Sequence, residues 1–193
     1  MSLGKSLSYC EADMSKWFHD FAENGSRRGT KIILVWTYMT QRMNWPKTVP
    51  GSYKAMFSLH QYLEHSGIEK DLLNLVYLRA SQVNGCVYCI DMHWKDLRAA
   101  GVSEQHLYLL NAWRESTEYT ERERAALEWT EAVTRLSYEG VSDDTYRVAR
   151  EQFSETDLVN LTLAVVAING WNRLNIAFRK EVDGYQPASA SKS

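Results

Sequence analysis

The chain has 193 residues, of which 45% are hydrophobic, and a formal net charge of -2. That length supports one good hydrophobic core, as a single domain or as two fused helical halves. The charge excludes strong attraction of the whole chain to nucleic acid or acidic lipid. Its most apolar late stretch, 161–168, is far shorter than the roughly 20 residues a membrane-spanning helix needs.

In chain order, the pattern predicts helices throughout, because breakers are sparse and apolar stripes recur at helical spacing. Residues 11–23 read as a first helix, broken by Asn24-Gly25-Ser26 and followed by a short basic turn at 27–31. Residues 31–43 are ambiguous: Ile32, Ile33, Val35 and Trp36 suit a strand, whereas Met39, Gln41 and Met43 extend a helix. Residues 46–50 form a connector between two prolines. A helix follows over 52–65, with Met56, Leu59 and Leu63 in its stripe and Gly67 placed to cap its end.

The next helix spans 68–83. Leu72, Val76, Ala80 and Val83 share one stripe, while Leu73, Leu75 and Leu78 make it apolar on other sides. Such a helix belongs between neighbours or in a subunit interface. Asn84-Gly85 breaks it, and 86–100 forms another helix stopped by Gly101. Ser103 caps a helix to Trp113. Thr120 and Glu123 form a capping box for a helix to Leu136, whose inner face is Ala126, Trp129, Val133 and Leu136. Ser142 starts a short helix to Gln152. Ser154 or Thr156 caps a long last helix to Phe178. The expected organisation is an N-terminal helical extension over 1–45, a helical domain over 46–182 and a flexible tail over 183–193.

The three cysteines are Cys10, Cys86 and Cys89. An odd number with two in one CxxC is a poor disulfide framework for a secreted domain and suits a reducing, cytoplasmic setting. The first residues carry no basic patch leading into a long apolar run, as a secretory signal would. Gly85 allows a tight turn that puts Cys86 and Cys89 on the first turn of a helix, where free N–H groups and the helix dipole favour a thiolate. In such pairs the first cysteine is usually the more exposed and the second resolves a mixed disulfide. His93, four residues after Cys89, shares their face and can take and return a thiol proton. Asp91 and Asp96 flank that face, but spacing alone pairs neither with His93. Two other readings stand beside this one: a zinc site completed from elsewhere, and plain core cysteines. No second cysteine pair, flavin, nicotinamide, lipoyl or phosphate-cradling motif is legible, so no cofactor and no metal is expected.

The run Leu78-Arg79-Ala80-Ser81-Gln82-Val83-Asn84-Gly85-Cys86-Val87-Tyr88-Cys89-Ile90-Asp91-Met92-His93 resembles the AhpD-like alkylhydroperoxidases of the carboxymuconolactone decarboxylase superfamily. The similarity continues through Arg98-Ala99-Ala100-Gly101, 111–115, 120–134 and Ile168-Asn169-Gly170-Trp171-Asn172-Arg173, covering about 49–178. It implies an all-α fold of six or more helices, assembled as homotrimers or homohexamers. It also implies that the CxxC pair reduces a hydroperoxide and is restored by a thiol or dithiol. Cys89 would attack, Cys86 would resolve and His93 would relay the proton, which reverses the order suggested by exposure. Two positions depart from the peroxidase pattern: Asn74 stands where it has a glutamate, and Tyr88 where it has a histidine. Neither supplies a group that titrates near neutrality. The alternative is a non-catalytic or redox-sensing helical oligomer that binds a ligand or partner.

Overall fold

In the computed structural model of the chain, residues 40–182 and 184–187 are described. The expectations for 11–23, 27–31 and Cys10, and most of those for 31–43 and the tail, lie outside them. Among the described residues eight α-helices follow in order: α1 Trp45–Thr48, α2 Pro50–Glu64, α3 Lys70–Asn84, α4 Val87–Ala99, α5 Glu104–Tyr108, α6 Glu121–Thr134, α7 Asp143–Gln152 and α8 Glu155–Phe178. A 3-10 segment, Leu109–Glu115, continues α5. No strand occurs among the described residues, and the one isolated bridge joins Ser137 and Gly140. The described residues are therefore all-α, as their periodicity and the resemblance imply.

Helix starts follow their caps. Ser103, Ser142 and Ser154 each accept a backbone N–H with the side chain, and Thr120 and Glu123 close a reciprocal capping box. The connector expected at 46–50 contains a single helical turn, α1, capped by Asn44, and Pro50 opens α2 directly. Proline at the first helical position loses no hydrogen bond.

Helix α3 is the spine and packs on α4, α6 and α8. Leu72, Val76 and Ala80 enter a core shared with Leu161, Val165 and Ile168 of α8. Leu75 and Leu78 enter a second core with Leu97, Leu107 and Leu127. Its apolar circumference is thus covered within one chain, and of the expected stripe only Val83 is left half-buried. A subunit interface is not needed to explain it.

Two expectations need correction. Leu136 is 62% exposed, because α6 ends at Thr134 and the inner face stops with Val133. The helix expected to reach Trp113 becomes a 3-10 segment kinked at Ala112. The kink accompanies a Trp113 side chain turned inward, where its Nε1 donates to Glu131 Oε1 at 2.8 Å.

Candidate active site

The site is built at the join of α3 and α4. Gly85 takes φ +70°, a left-handed conformation that costs glycine little. Gly85 N–H donates to Gln82 O and Cys86 N–H donates to Ser81 O, closing the end of α3 in a Schellman turn. The chain then reverses at once: Cys86 is the extended N-cap of α4, and Cys89 is the third residue of that helix. Both cysteines are free thiols.

Neither sulfur is exposed; Cys86 and Cys89 are each 1% accessible. The expectation of an exposed first cysteine fails because α8 covers the turn. Cys89, together with Tyr77, Tyr88, His93 and Asn175, lines a cavity of about 170 Å³ whose walls are mostly aromatic and include Trp45, Tyr53, Phe57 and Trp171. Cys86 packs in the core beside it.

Burial and bonding split the two thiols. Cys89 is drawn down to about 7, because the Cys86 thiol donates to its sulfur; burial opposes this, and Asn175, Asn172 and Ser81 add to it. Donating that hydrogen bond, and burial, push Cys86 well above the usual thiol range. The Asn175 amide sits 3.4 Å from the Cys89 sulfur, and its oxygen accepts from Trp45 Nε1 at 3.2 Å.

Asn175 ends a polar stripe on α8. Asn169 Oδ1 and Asn172 Oδ1 accept from Asn84 Nδ2 at 2.9 and 2.8 Å, and Asn172 Nδ2 donates to Ser81 Oγ at 3.0 Å. These amides pin the start of the CxxC turn to α8. Reading the residues alone missed this role, although asparagines at 169, 172 and 175 in an apolar helix were its visible signal. Arg173 is exposed and donates to Asn169 O and Oδ1, so it does not enter the cavity.

His93 is 3% exposed. Its Nδ1 lies 3.2 Å from Asn74 Oδ1 and 3.9 Å from Asp96 Oδ2. The amide oxygen can only accept, so it fixes the proton on Nδ1 and leaves Nε2 as a bare acceptor. Burial, with His60 a smaller influence, pushes the imidazole down to about 3, so His93 is neutral near pH 7. Nε2 is buried and has no hydrogen-bond partner among the described residues, and the same holds for the Tyr77 hydroxyl. The rings of Tyr77 and His93 are 5.1 Å apart.

Asn74 therefore touches His93, although it cannot titrate. Tyr88 borders the cavity with Lys180 Nζ 4.2 Å from its ring centre. Asp91 pairs with Lys95 at 2.7 Å, whereas Asp96 faces the histidine and accepts from Tyr185 at 2.7 Å. Among the described residues no three His, Cys, Asp or Glu side chains converge as metal ligands.

Cys89 and His93 thus line one cavity within an all-helical arrangement of the described residues. Residues 50–132 match the carboxymuconolactone decarboxylase family. The uncharacterized protein YdfG of Bacillus subtilis (strain 168) is 40% identical over 139 residues, spanning 72% of this chain and 95% of its own length. The chain belongs to the carboxymuconolactone decarboxylase family and its AhpD-like superfamily. A crystal structure from Agrobacterium tumefaciens, of a protein of unknown function and a candidate antioxidant defence protein AhpD, superposes with a TM-score of 0.72 at 42% identity, covering 77% of this chain and 99% of that one. An AhpD core from Ralstonia eutropha JMP134, an uncharacterized peroxidase-related protein, superposes at 0.65 with 19% identity, covering 72% and 74%, and speaks for the fold. No helix among the described residues is long and apolar enough to cross a membrane.

Proposed function

We propose that this protein is a thiol-dependent peroxidase that reduces hydroperoxides through Cys89 and Cys86. Family membership supports a peroxidase-related role in general. The observation that carries the finer reading is the split pair of thiols. Cys89, drawn down to about 7, borders the cavity, and Cys86, pushed up, stands behind it as a proton-bearing partner. This arrangement suits Cys89 as the attacking sulfur and Cys86 as the resolving one.

In the proposed cycle the Cys89 thiol gives its proton to His93 Nε2, and its sulfur attacks the terminal oxygen of the hydroperoxide. The O–O bond breaks, leaving Cys89 as a sulfenic acid and releasing an alkoxide that takes the proton back from His93. Because burial disfavours the imidazolium, His93 holds that proton only in passing. The Cys86 thiol then attacks the sulfenic sulfur, forming a disulfide and water, and an external dithiol returns both thiols. Asn74 holds the histidine tautomer, and Tyr88 is a wall of the cavity.

The alternative is a redox-sensing oligomer that binds a ligand without turnover, and the burial of both sulfurs favours it. Stopped-flow oxidation of the reduced protein by hydrogen peroxide and an organic hydroperoxide separates the two. The peroxidase reading expects a rate well above that of free cysteine, abolished in Cys89→Ser and slowed in His93→Ala. A rate equal to free cysteine and indifferent to both changes leaves only the binding reading.

Assembly into a homotrimer or homohexamer is part of the same proposal, on a surface other than the one expected. With α3 covered, one exposed apolar patch on offer is that of Val159 and Val166 on α8, beside Tyr146 of α7. Light scattering that shows a monomer at micromolar concentration refutes assembly.

A further inference from the structure

Helix α3 places Tyr77 about two turns before the CxxC turn, with its ring 5.1 Å from that of His93 on α4. The residue is 4% exposed, yet its hydroxyl has no hydrogen-bond partner among the described residues. A buried hydroxyl left without a partner costs about 1–3 kcal/mol. Nearby amides are bonded: Asn175 to both Trp45 and the Cys89 sulfur, and Asn74 to His93. Two buried polar atoms are left over, the Tyr77 O–H and His93 Nε2, on side chains that line one cavity with Cys89.

They are complementary in kind. Nε2 can only accept while Nδ1 holds the proton, and the Tyr77 phenol is kept protonated, since burial and the nearby Glu64 push it above its usual range. A hydroperoxide bears an acidic O–H on its terminal oxygen and lone pairs on its inner oxygen. The aromatic walls leave its organic group apolar contacts, and of the polar side chains in the lining only Tyr77 and His93 hold a buried atom without a partner among the described residues.

We infer that Tyr77 is a catalytic hydrogen-bond donor to the inner, departing oxygen of the hydroperoxide. The inference rests on the peroxidase reading and adds to it the group that stabilises the leaving alkoxide. The balance is unchanged: thiol and hydroperoxide give sulfenic acid and alcohol, and the proton travels from Cys89 through His93 to the departing oxygen. Tyr77 keeps its own proton and strengthens its hydrogen bond as negative charge builds on that oxygen. A donor aimed at developing charge in a site closed to water is worth more to the transition state than to the bound substrate.

Tyr77→Phe removes the hydroxyl and keeps the ring against His93 and His60. In single-turnover stopped flow with tert-butyl hydroperoxide, the variant is expected to oxidise Cys89 on the order of 100-fold more slowly than wild type, the cost of losing one such donor. With peracetic acid, whose departing carboxylate needs little stabilisation, the deficit should shrink to nearly nothing. Alkylation of Cys89 should keep its inflection near 7, and the melting temperature should hold or rise, because an unpaired hydroxyl has been removed. A merely structural role would slow both oxidants alike and shift alkylation or melting. Equal rates for wild type and variant with the alkyl hydroperoxide, in a wild type much faster than free cysteine, overturn the role of Tyr77 and leave the peroxidase standing. A wild type no faster than free cysteine overturns both.

Discussion

Helix α3 carries two buried polar sites within a few residues of each other, and they follow opposite rules. Around Arg79 the polar groups find partners. Its guanidinium meets Glu131 at 2.7 and 2.8 Å, Asn111 at 2.8 Å and Gln82 at 3.0 Å. Glu131 also accepts from Trp113 and Arg114, both at 2.8 Å. Burial alone would raise the Glu131 carboxyl, but these hydrogen bonds hold it below its usual range. Around Tyr77 and His93 two buried polar atoms are left without partners among the described residues, on side chains that line a cavity. The closed cluster ties α3, α6 and the 3-10 segment together. The open one sits beside the most acidic thiol of the CxxC. In one helix, satisfied polarity marks what holds the fold, and unsatisfied polarity marks where the proposed function would put a substrate.

The largest expected effect belongs to the closed site. Glu131→Ala strands the buried Arg79 charge and should cost about 3–5 kcal/mol in urea unfolding followed by circular dichroism. A loss near zero would mean that the cluster is not what separates the two regions.

A smaller, pH-dependent effect belongs to the open site. The His93 imidazole is pushed below its ordinary value to about 3, so the unfolded chain binds a proton there that the folded chain refuses. Its contribution to stability is complete above about 6.5 and is lost as pH falls toward 3, by about 1.4 kcal/mol for each pH unit. His60, Asp96, Tyr77 and Asn74 also face this ring, so the informative quantity is the wild-type stability minus that of His93→Gln. This difference should decline on acidification; parallel curves would break the assignment.

The smallest effect sharpens the boundary between the regions. Asn175→Leu removes an amide hydrogen bond from the Cys89 sulfur, so the inflection of Cys89 alkylation should move up from about 7. An inflection that stays in place would leave the lowered value to Cys86, with Asn172 and Ser81, and take Asn175 out of it.

Much of this was legible in local chemistry. Ser103, Thr120, Ser142 and Ser154 announce helices because a cap is a contract between residues three apart. The Asn84-Gly85 break places the CxxC on a helix start because only a left-handed residue lets the chain reverse there. His93 falls on the Cys89 face because a helix repeats about every four residues. What the sequence determined is therefore the helices, the CxxC turn and the family. Tertiary structure alone decided the rest. Asn175 reaches Cys89 across 86 residues and Trp45 across 130, and no periodicity encodes such meetings. Which cysteine borders the cavity, which carboxylate faces His93 and which hydroxyl on α3 is left without a partner depend on how helices from distant parts of the chain close over one another. Burial and hydrogen bonding through space set the chemistry of those groups, and neither is a property of neighbouring letters in the chain.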